Sequence, residues 1–539
     1  MKRILKIALL VGLCITVLLT SVSCAWINET ILGKEHEHRF KKDVQTEEPT
    51  CVSEGKRTAT CKCGAIQVTT LAATGQHSYQ NKVCAVCGRK DATGLTSPVL
   101  CGDALSSYAI VYAEGASAYT VRAAEYIAKE INARTGITLP VTAVGEASDA
   151  NAHEIVVGET SRPISQELNA DTEGLEFAIL ANEDHIAIEG DYFIIAAAAY
   201  YFVETYIPEA VFDIDVPQTV SVATPLVKEA KNFILLIGDG MGPNQTKLFD
   251  AYKGESIADY SDGEDFFYGY LFPYIGEVRT DSLSGTTDSA AAGTALASGY
   301  KTENGTIGRD KDQNDVPLLT ELAAQQGKAT AVMSTEKQTG ATPSAFSAHA
   351  YHRSNTTAIS KAQAELTAQY GTIINCGYDV YTEEKMQNLR HAITDTLQTL
   401  SKDEDGFFLM YEEAYIDKHC SALNVEKAYL ATVRFNQAIA LFMEYAFYNP
   451  ETMVIVTADH ETGGLHLDEN GEFQFVSEEH TSANVPVFAY GARADVFDGK
   501  TVENVQISKT IAALFGIKIE GTDPENYPAL LPLIYLETK

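Results

Sequence analysis

Three apolar segments of the sequence each lead into side chains that can bind a metal ion. The segments are residues 233–237, 407–411 and 453–458. The side chains at their ends are Asp239, Glu412, Asp417, Asp459 and His460. Because the carboxyl ends of parallel strands meet at one edge of a sheet, we expect these groups to lie close together. Carboxylate oxygen and imidazole nitrogen are ligands for divalent cations, so the pattern predicts one metal centre built from distant segments.

A second candidate group, Ser289, lies at the predicted start of a helix. Small helix formers follow it, and Thr287 or Asp288 is a natural residue to cap the helix. The free backbone N–H groups and the positive dipole end of a helix favour a bound phosphate. The position therefore predicts a nucleophile beside a held anion, although a capping serine is the ordinary explanation for Ser289 taken alone.

Strands and helices alternate from about residue 227 to the C-terminus, and this order must position the candidate groups. The predicted strands are residues 233–237, 329–333, 407–411, 453–457 and 485–490. The predicted helices include residues 318–326 and 428–445. Such alternation is typical of a mostly parallel sheet with helices on both faces. We therefore predict an α/β three-layer sandwich over residues 227–539.

Residues 99–226 are predicted to form a separate small α/β domain. Its predicted elements are strands 108–112, 155–158 and 186–190, a helix over 121–134 capped by Gly136, and a closing helix from near Asp191. The pattern resembles the small α/β domain that precedes the catalytic barrel in some glycoside hydrolases. No catalytic constellation is visible in it, so support or carbohydrate contact is the predicted role.

Residues 24–98 are polar and rich in cysteine. Four of the cysteines have spacings typical of a zinc-ribbon-like module, and these are Cys61, Cys63, Cys84 and Cys87. Cys51, His38 and His77 are possible replacements as ligands. Disulfides remain the alternative, because an exported chain meets oxidants. The segment resembles short Cys-rich modules of bacterial surface proteins.

Residues 1–23 have the composition of an export signal. A basic start precedes an apolar core over residues 7–19, which is shorter than the ~20 apolar residues of a spanning helix. Residues 21–24 resemble a bacterial lipoprotein cleavage box, which predicts a lipid on Cys24 and a cell-surface location. A plain secretory signal is the alternative.

Charge limits the partners of the chain. It has 539 residues and a formal net charge of -33. No basic stripe is available to replace the counterions of a nucleic acid, so we expect no nucleic acid as partner. We expect membrane contact only through the lipid anchor, and we leave a homodimer open.

Four motifs closely resemble those of the alkaline phosphatases. They are residues 237–242, 287–291, 341–343 with Arg353 ten residues beyond, and 457–464. They occur in family order, and the resemblance covers about residues 230–515. It implies a phosphomonoesterase that uses two zinc ions and one magnesium ion.

The resemblance also implies a role for each matching residue. Ser289 would be transiently phosphorylated, and Arg353 would hold the phosphoryl oxygens. One zinc site would comprise Asp239, Asp459 and His460, with Asp239 also bridging towards magnesium. Further magnesium ligands would be Thr342 and Glu412, and the second zinc ligands would be Asp417 and His480.

Three positions depart from the family pattern. Ser421 stands where a zinc-binding histidine is usual, so His419 or Cys420 is a candidate replacement. Gly340 stands where Asp or His is common near magnesium, so that water would fill this role. Thr462 replaces a histidine found in some members. Ser421 and Gly340 keep open the alternative of a surface-binding protein with a decayed phosphatase domain. A phosphodiesterase of the same superfamily is the enzymatic alternative, and Arg353 argues against it.

Overall fold

A computed structural model gives the fold of the chain. It describes residues 97–146, 148–168, 170–182, 184–207, 213–251, 266–378 and 383–531, together with short strands between residues 44 and 84. The predicted export signal and Cys61, Cys63 and Cys87 lie outside the described residues, and Cys84 lies in one of the short strands.

The described strands, in chain order, are β1 (Val44–Glu47), β2 (Gly55–Thr60), β3 (Ile66–Leu71), β4 (Tyr79–Gln80), β5 (Val83–Cys84), β6 (Val99–Leu100), β7 (Asp103–Ala104), β8 (Tyr108–Ala113), β9 (Val141–Val144), β10 (His153–Val157), β11 (Phe177–Ala181), β12 (His185–Glu189), β13 (Asp213–Ile214), β14 (Ser221–Ala223), β15 (Asn232–Gly238), β16 (Tyr274–Arg279), β17 (Ala329–Ser334), β18 (Ile373–Cys376), β19 (Phe407–Glu413), β20 (Thr452–Thr457), β21 (Glu461–Thr462), β22 (His466–Leu467), β23 (Phe473–Gln474), β24 (His480–Thr481), β25 (Val485–Tyr490) and β26 (Thr501–Glu503).

The described α-helices are α1 (Ala118–Thr135), α2 (Pro163–Leu168), α3 (Ile194–Tyr206), α4 (Leu248–Ala251), α5 (Ser289–Ser298), α6 (Leu319–Gln325), α7 (Ala341–Ala345), α8 (Thr356–Tyr370), α9 (Glu383–Leu400), α10 (Tyr415–Ser421), α11 (Val425–Tyr448) and α12 (Asn504–Leu514). Short 3₁₀ turns cover Leu105–Ser107, Tyr268–Leu271 and Ala494–Phe497. Among the helices of the described ranges, none is both long and apolar enough to cross a lipid bilayer.

An eight-stranded sheet organises the C-terminal part of the chain, in the order β18-β17-β19-β15-β20-β25-β16-β26. Seven strands run in one direction, and β25 is antiparallel to both of its neighbours. The central strands β15 and β20 are mainly apolar, and all their residues except Asn232 are buried, which is the pattern of strands covered on both faces. The predicted α/β sandwich with a mostly parallel sheet is confirmed, and all five predicted strands are present.

A second sheet of six strands, β14-β11-β12-β10-β8-β9, contains the strands predicted between residues 108 and 190. The predicted helix over 121–134 is α1, which ends at Gly136 in the left-handed conformation. Residues 106–210 and 216–539 belong to one compact unit, and residues 1–105 with 211–215 form another. Within the larger unit, Arg122 of α1 donates two hydrogen bonds, of 2.7 and 2.8 Å, to Glu444 of α11. The predicted division into domains at residue 226 stays a prediction.

A buried ion pair ties α11 to β19. The Nε and Nη2 atoms of Arg434 donate to the carboxylate of Glu413 at 2.6 and 2.5 Å. The two side chains are 1% and 0% exposed. Removing the arginine leaves a buried carboxylate without its charge partner, and such a loss typically costs ~3–5 kcal/mol.

We expect Arg434→Met to lower the free energy of unfolding in urea by about 3–5 kcal/mol for this reason. The matched control is Lys231→Met, because Lys231 pairs with Glu451 at the exposed surface. This control should cost less than about 1 kcal/mol. Equal, small losses for the two variants would show that the buried pair does not stabilise the sheet.

Candidate functional site

The strand register brings the three predicted ligand segments to one edge of the sheet. Ile237 of β15 pairs with Glu412 on one side and with Thr457 on the other. Asp239 and Asp459 follow these paired positions by two residues, so they extend from neighbouring strands at the same level. The predicted meeting of the three segments is therefore present in the structure.

The turn after β15 also receives the start of α10. Gly240 has a φ of 76°, and a Cβ atom added to it would lie 2.7 Å from the Cα atom of Asp417. Only glycine permits both this conformation and this close approach. The Asp417 amide donates to the carbonyl oxygen of Asp239 at 2.8 Å, which places both carboxylates at the same edge.

Ser289 is the first residue of α5, as the sequence predicts. Asp288 caps this helix by accepting a hydrogen bond from the amide of Ala291 at 3.0 Å. The Oγ atom of Ser289 lies 3.2 Å from Nε2 of His460. The serine is buried, at 3% exposure, so its hydroxyl faces the ligand-rich edge and not open solvent.

Asp239, Asp459 and His460 form the first group of side chains with metal-binding geometry. Their ligand atoms all lie within 4.8 Å of one another. His460 Nε2 is 3.5 Å from Oδ1 of Asp239 and 3.3 Å from Oδ2 of Asp459. The backbone amides of Gly240 and His460 donate to the other oxygen of Asp459, which holds that carboxylate in place.

Asp417, His460 and His480 form a second such group that shares His460 with the first. Strand β24 pairs with β21, so that His480 lies opposite Thr462. This pairing stacks the ring of His480 on that of His460 with a centroid distance of 3.6 Å. The hydroxyl of Thr462 donates to Asp417 at 2.6 Å, which is a positioning contact at one of the departures from the family pattern.

Glu412 and Thr342 lie on elements that adjoin β17. Glu412 pairs in register with Ser334 of β17, and the Ser334 hydroxyl donates to its Oε2 atom. Thr342 is part of α7, which packs near β17, and both Thr342 and Glu412 are fully buried.

Burial and mutual repulsion dominate the electrostatics of these carboxylates. Burial raises the pKa of Asp239 well above its usual value, and the neighbouring Asp459 raises it further. Burial and the carboxylate of Glu336 raise the pKa of Glu412 to about 8. Burial would lower the pKa of His480, but its contact with Asp417 raises it to about 9. A cluster of buried carboxylates of this kind requires cations to be stable in its ionised form.

Several oxygen atoms of the cluster are suited to bind cations because they are buried and take part in no hydrogen bond within the described residues. Four such atoms have no hydrogen-bond partner among the described residues: Asp239 Oδ1, Asp459 Oδ2, Glu412 Oε1 and Thr342 Oγ1. Buried polar atoms are almost always paired, so four orphaned oxygens at one edge point to a missing electropositive partner. The nitrogen-containing groups suit zinc, and the all-oxygen pair of Thr342 and Glu412 suits magnesium.

Arg353 lies near the same edge of the sheet, beside Asp288. Its Nη1 atom donates to Oδ2 of Asp288 at 3.2 Å, and Asp288 is the residue that caps the helix of Ser289. The Arg353 side chain remains 39% exposed, so its guanidinium is held near Ser289 with donors available to an incoming anion.

The proposed replacement ligands do not join either group. His419 lies against the ring of Tyr415 at 5.9 Å, and Cys420 is buried beside Gln245 at 3.9 Å. Ser421 ends α10. The second group therefore contains Asp417, His460 and His480 alone among the residues that the structure describes.

Glu336 is a carboxylate at this edge that our sequence analysis missed. It follows β17, and its Oε2 atom accepts a hydrogen bond from Lys418 at 2.9 Å. The signal that could have found it is the pattern used for Asp239, because the apolar run 329–333 leads into Glu336 in the same way.

Comparison with known proteins shows what this part of the chain is similar to. The model of the family described as "Alkaline phosphatase" matches residues 230–375 and 374–474, which contain every candidate residue of this sheet edge except His480. Alkaline phosphatase 3 of Bacillus subtilis is 26% identical over 337 residues, covering 52% of this chain and 71% of that protein. Alkaline phosphatase of Escherichia coli is 25% identical over 412 residues, covering 54% and 87%. The solved alkaline phosphatase from the Antarctic bacterium TAB5 aligns with a TM-score of 0.48 at 28% identity, over 54% of this chain and 99% of that chain.

Proposed function

The chain belongs to the alkaline phosphatase family, whose members hydrolyse phosphoesters, and from this premise we propose that it is a metal-dependent phosphomonoesterase that acts through a phosphoserine. The observation that supports this proposal most directly is the position of Ser289. Its hydroxyl lies at a helix N-terminus, 3.2 Å from His460, beside two overlapping groups of metal-binding side chains.

The reaction proceeds in two displacements at phosphorus. Ser289 Oγ loses its proton and attacks the phosphoryl group, an Oγ–P bond forms, and the P–O bond to the alcohol breaks, with the leaving oxygen taking up a proton from water. Water then attacks the same phosphorus, the Oγ–P bond breaks, and inorganic phosphate leaves. The backbone N–H groups at the start of α5 stabilise the negative charge of the phosphoryl oxygens in both steps.

The side chains of the cluster would hold the metal ions that make the serine reactive. Asp239, Asp459 and His460 would hold one zinc ion, Asp417 and His480 a second, and Glu412 and Thr342 a magnesium ion. Such ions, when bound, promote deprotonation of the nucleophile and stabilise the leaving oxygen.

Arg353 provides the preference for monoesters. Its planar guanidinium can donate two parallel hydrogen bonds to two phosphoryl oxygens. A monoester dianion offers three charged oxygens for the helix N-terminus and the guanidinium together, whereas a diester carries a single negative charge. Asp288 keeps the guanidinium on the side of α5 where Ser289 lies.

Removal and restoration of metals tests the proposed function. We expect phosphate release from an aryl monoester to fall at least about tenfold after chelation and to return with zinc and magnesium, since the carboxylates cannot activate Ser289 by themselves. An aryl diester should be hydrolysed more slowly under the same conditions. Faster hydrolysis of the diester would favour the phosphodiesterase, and a folded protein without turnover under any metal would favour the surface-binding alternative.

We also propose that the enzyme acts outside the cytoplasm, anchored through a lipid on Cys24. The basic start, the apolar core and the cleavage-box resemblance of residues 1–24 support this proposal. The proposed zinc-ribbon-like module of Cys61, Cys63, Cys84 and Cys87 follows Cys24 in the sequence.

A further inference from the structure

The backbone of Gly340 does not require glycine. Its φ of -61° and ψ of 165° are accessible to any L-amino acid. A side chain here would instead meet the end of the Glu336 side chain, since a Cβ atom added at Gly340 would lie 1.7 Å from Oε1 of Glu336. The carboxylate of Glu336 therefore fills the place that a side chain at position 340 would otherwise occupy.

Glu336 is connected by hydrogen bonds to Glu412, which together with Thr342 forms the all-oxygen pair that suits magnesium. Its backbone amide donates to the Ser334 hydroxyl at 3.0 Å, and the same hydroxyl donates to Glu412. Its Oε2 atom accepts from Lys418 at 2.9 Å, and its side chain is only 12% exposed. These contacts orient the carboxylate and leave Oε1 directed at the space beside Gly340.

We propose that Glu336 supplies a third carboxylate to the magnesium site of Asp239, Thr342 and Glu412, in the place left by Gly340. The carboxylate takes the role that our sequence analysis gave to water. Magnesium keeps several of its waters when it binds to proteins, and a carboxylate can hold the ion or one of these waters.

The charges of the neighbourhood support this assignment. In its ionised form, the carboxylate of Glu336 would add a negative charge beside those of Asp239 and Glu412, and Lys418 pairs with its Oε2 atom at 2.9 Å. A divalent cation at this place would balance the excess of carboxylates.

The test is the affinity for magnesium of the zinc-loaded full chain, measured by calorimetric titration with magnesium chloride. Glu336→Gln keeps the shape of the side chain and an oxygen acceptor for Lys418, so we expect a fold like that of the parent. The dissociation constant for magnesium should rise at least about tenfold, in the range found when supporting groups of metal sites are removed. Glu365→Gln, on the exposed face of α8, removes an equal charge and should leave the affinity unchanged.

A double variant provides a rescue. Glu336→Ala with Gly340→Asp moves the carboxylate back to position 340, and it should bind magnesium more tightly than Glu336→Ala alone. Parent-like affinity in Glu336→Gln, or no rescue in the double variant, would overturn this inference.

The inference rests on the proposed magnesium site but not on turnover. A parent protein that binds no magnesium while it hydrolyses the aryl monoester with zinc would overturn the inference and leave the proposed phosphatase function standing. A parent protein that binds magnesium but shows no turnover would leave the inference standing and overturn the proposed phosphatase function.

Discussion

A Ser289→Ala variant is expected to lose about 1,000-fold or more of the parent's kcat towards an aryl phosphate, because it lacks the oxygen that forms the bond to phosphorus. Binding of inorganic phosphate should persist, since the helix N-terminus and Arg353 remain. Acid quenching of the parent with labelled phosphate should trap a phosphoserine, and the variant should trap none.

The control for this variant is Ser284→Ala. Ser284 lies in the loop before α5, and its exposed hydroxyl contacts Glu303. This variant should retain the parent's turnover. Substantial turnover in Ser289→Ala would mean that water attacks the substrate directly and that the two-step mechanism is wrong.

An Asp239→Asn variant is expected to have opposite effects on the metal-free and the metal-loaded protein. Metal-loaded activity should fall about 1,000-fold, which corresponds to about 4 kcal/mol of transition-state stabilisation, because Asp239 belongs to both the proposed zinc site and the proposed magnesium site. The metal-free protein should become more stable, because the substitution removes a buried negative charge that Asp459 repels.

Thermal unfolding with and without chelator measures both effects. The stabilisation by added zinc should be large in the parent and small in the variant. The control is Asp468→Asn, in an exposed turn between β22 and β23. A variant that loses stability in the metal-free form would show that Asp239 is held by protein contacts and that no cation is needed to balance it.

Most of the sheet could be predicted from the sequence because its central strands are buried on both faces. Uninterrupted apolar runs such as residues 233–237 and 453–457 have few other stable placements in a chain that alternates strand and helix. The short strands β21 and β24 could not be predicted, since two residues carry no periodicity. Their pairing is nevertheless what places His480 on His460.

The position of a site residue could be predicted where its residue type and its local helix or strand are enough to determine it. Ser289 at a helix start and Asp239 after a buried strand are of this kind. The expected replacement of Ser421 by His419 or Cys420 depends on which way α10 faces, and that orientation is decided by packing. In the structure, these residues lie against Tyr415 and Gln245 and not beside His480.

The sequence by itself determined the fold class, the position of Ser289 at a helix start and the carboxylates at the strand ends, because burial and helix capping are local consequences of residue type. The tertiary structure alone decided which of these groups meet. It also decided that Glu336 fills the space beside Gly340, since the position of a side chain's end depends on contacts with Ser334 and Lys418, which come from different segments. Which residues can bind one metal ion depends on the distances between their side chains. The order of residues in the sequence does not give those distances, because they are set by the register in which the strands pair.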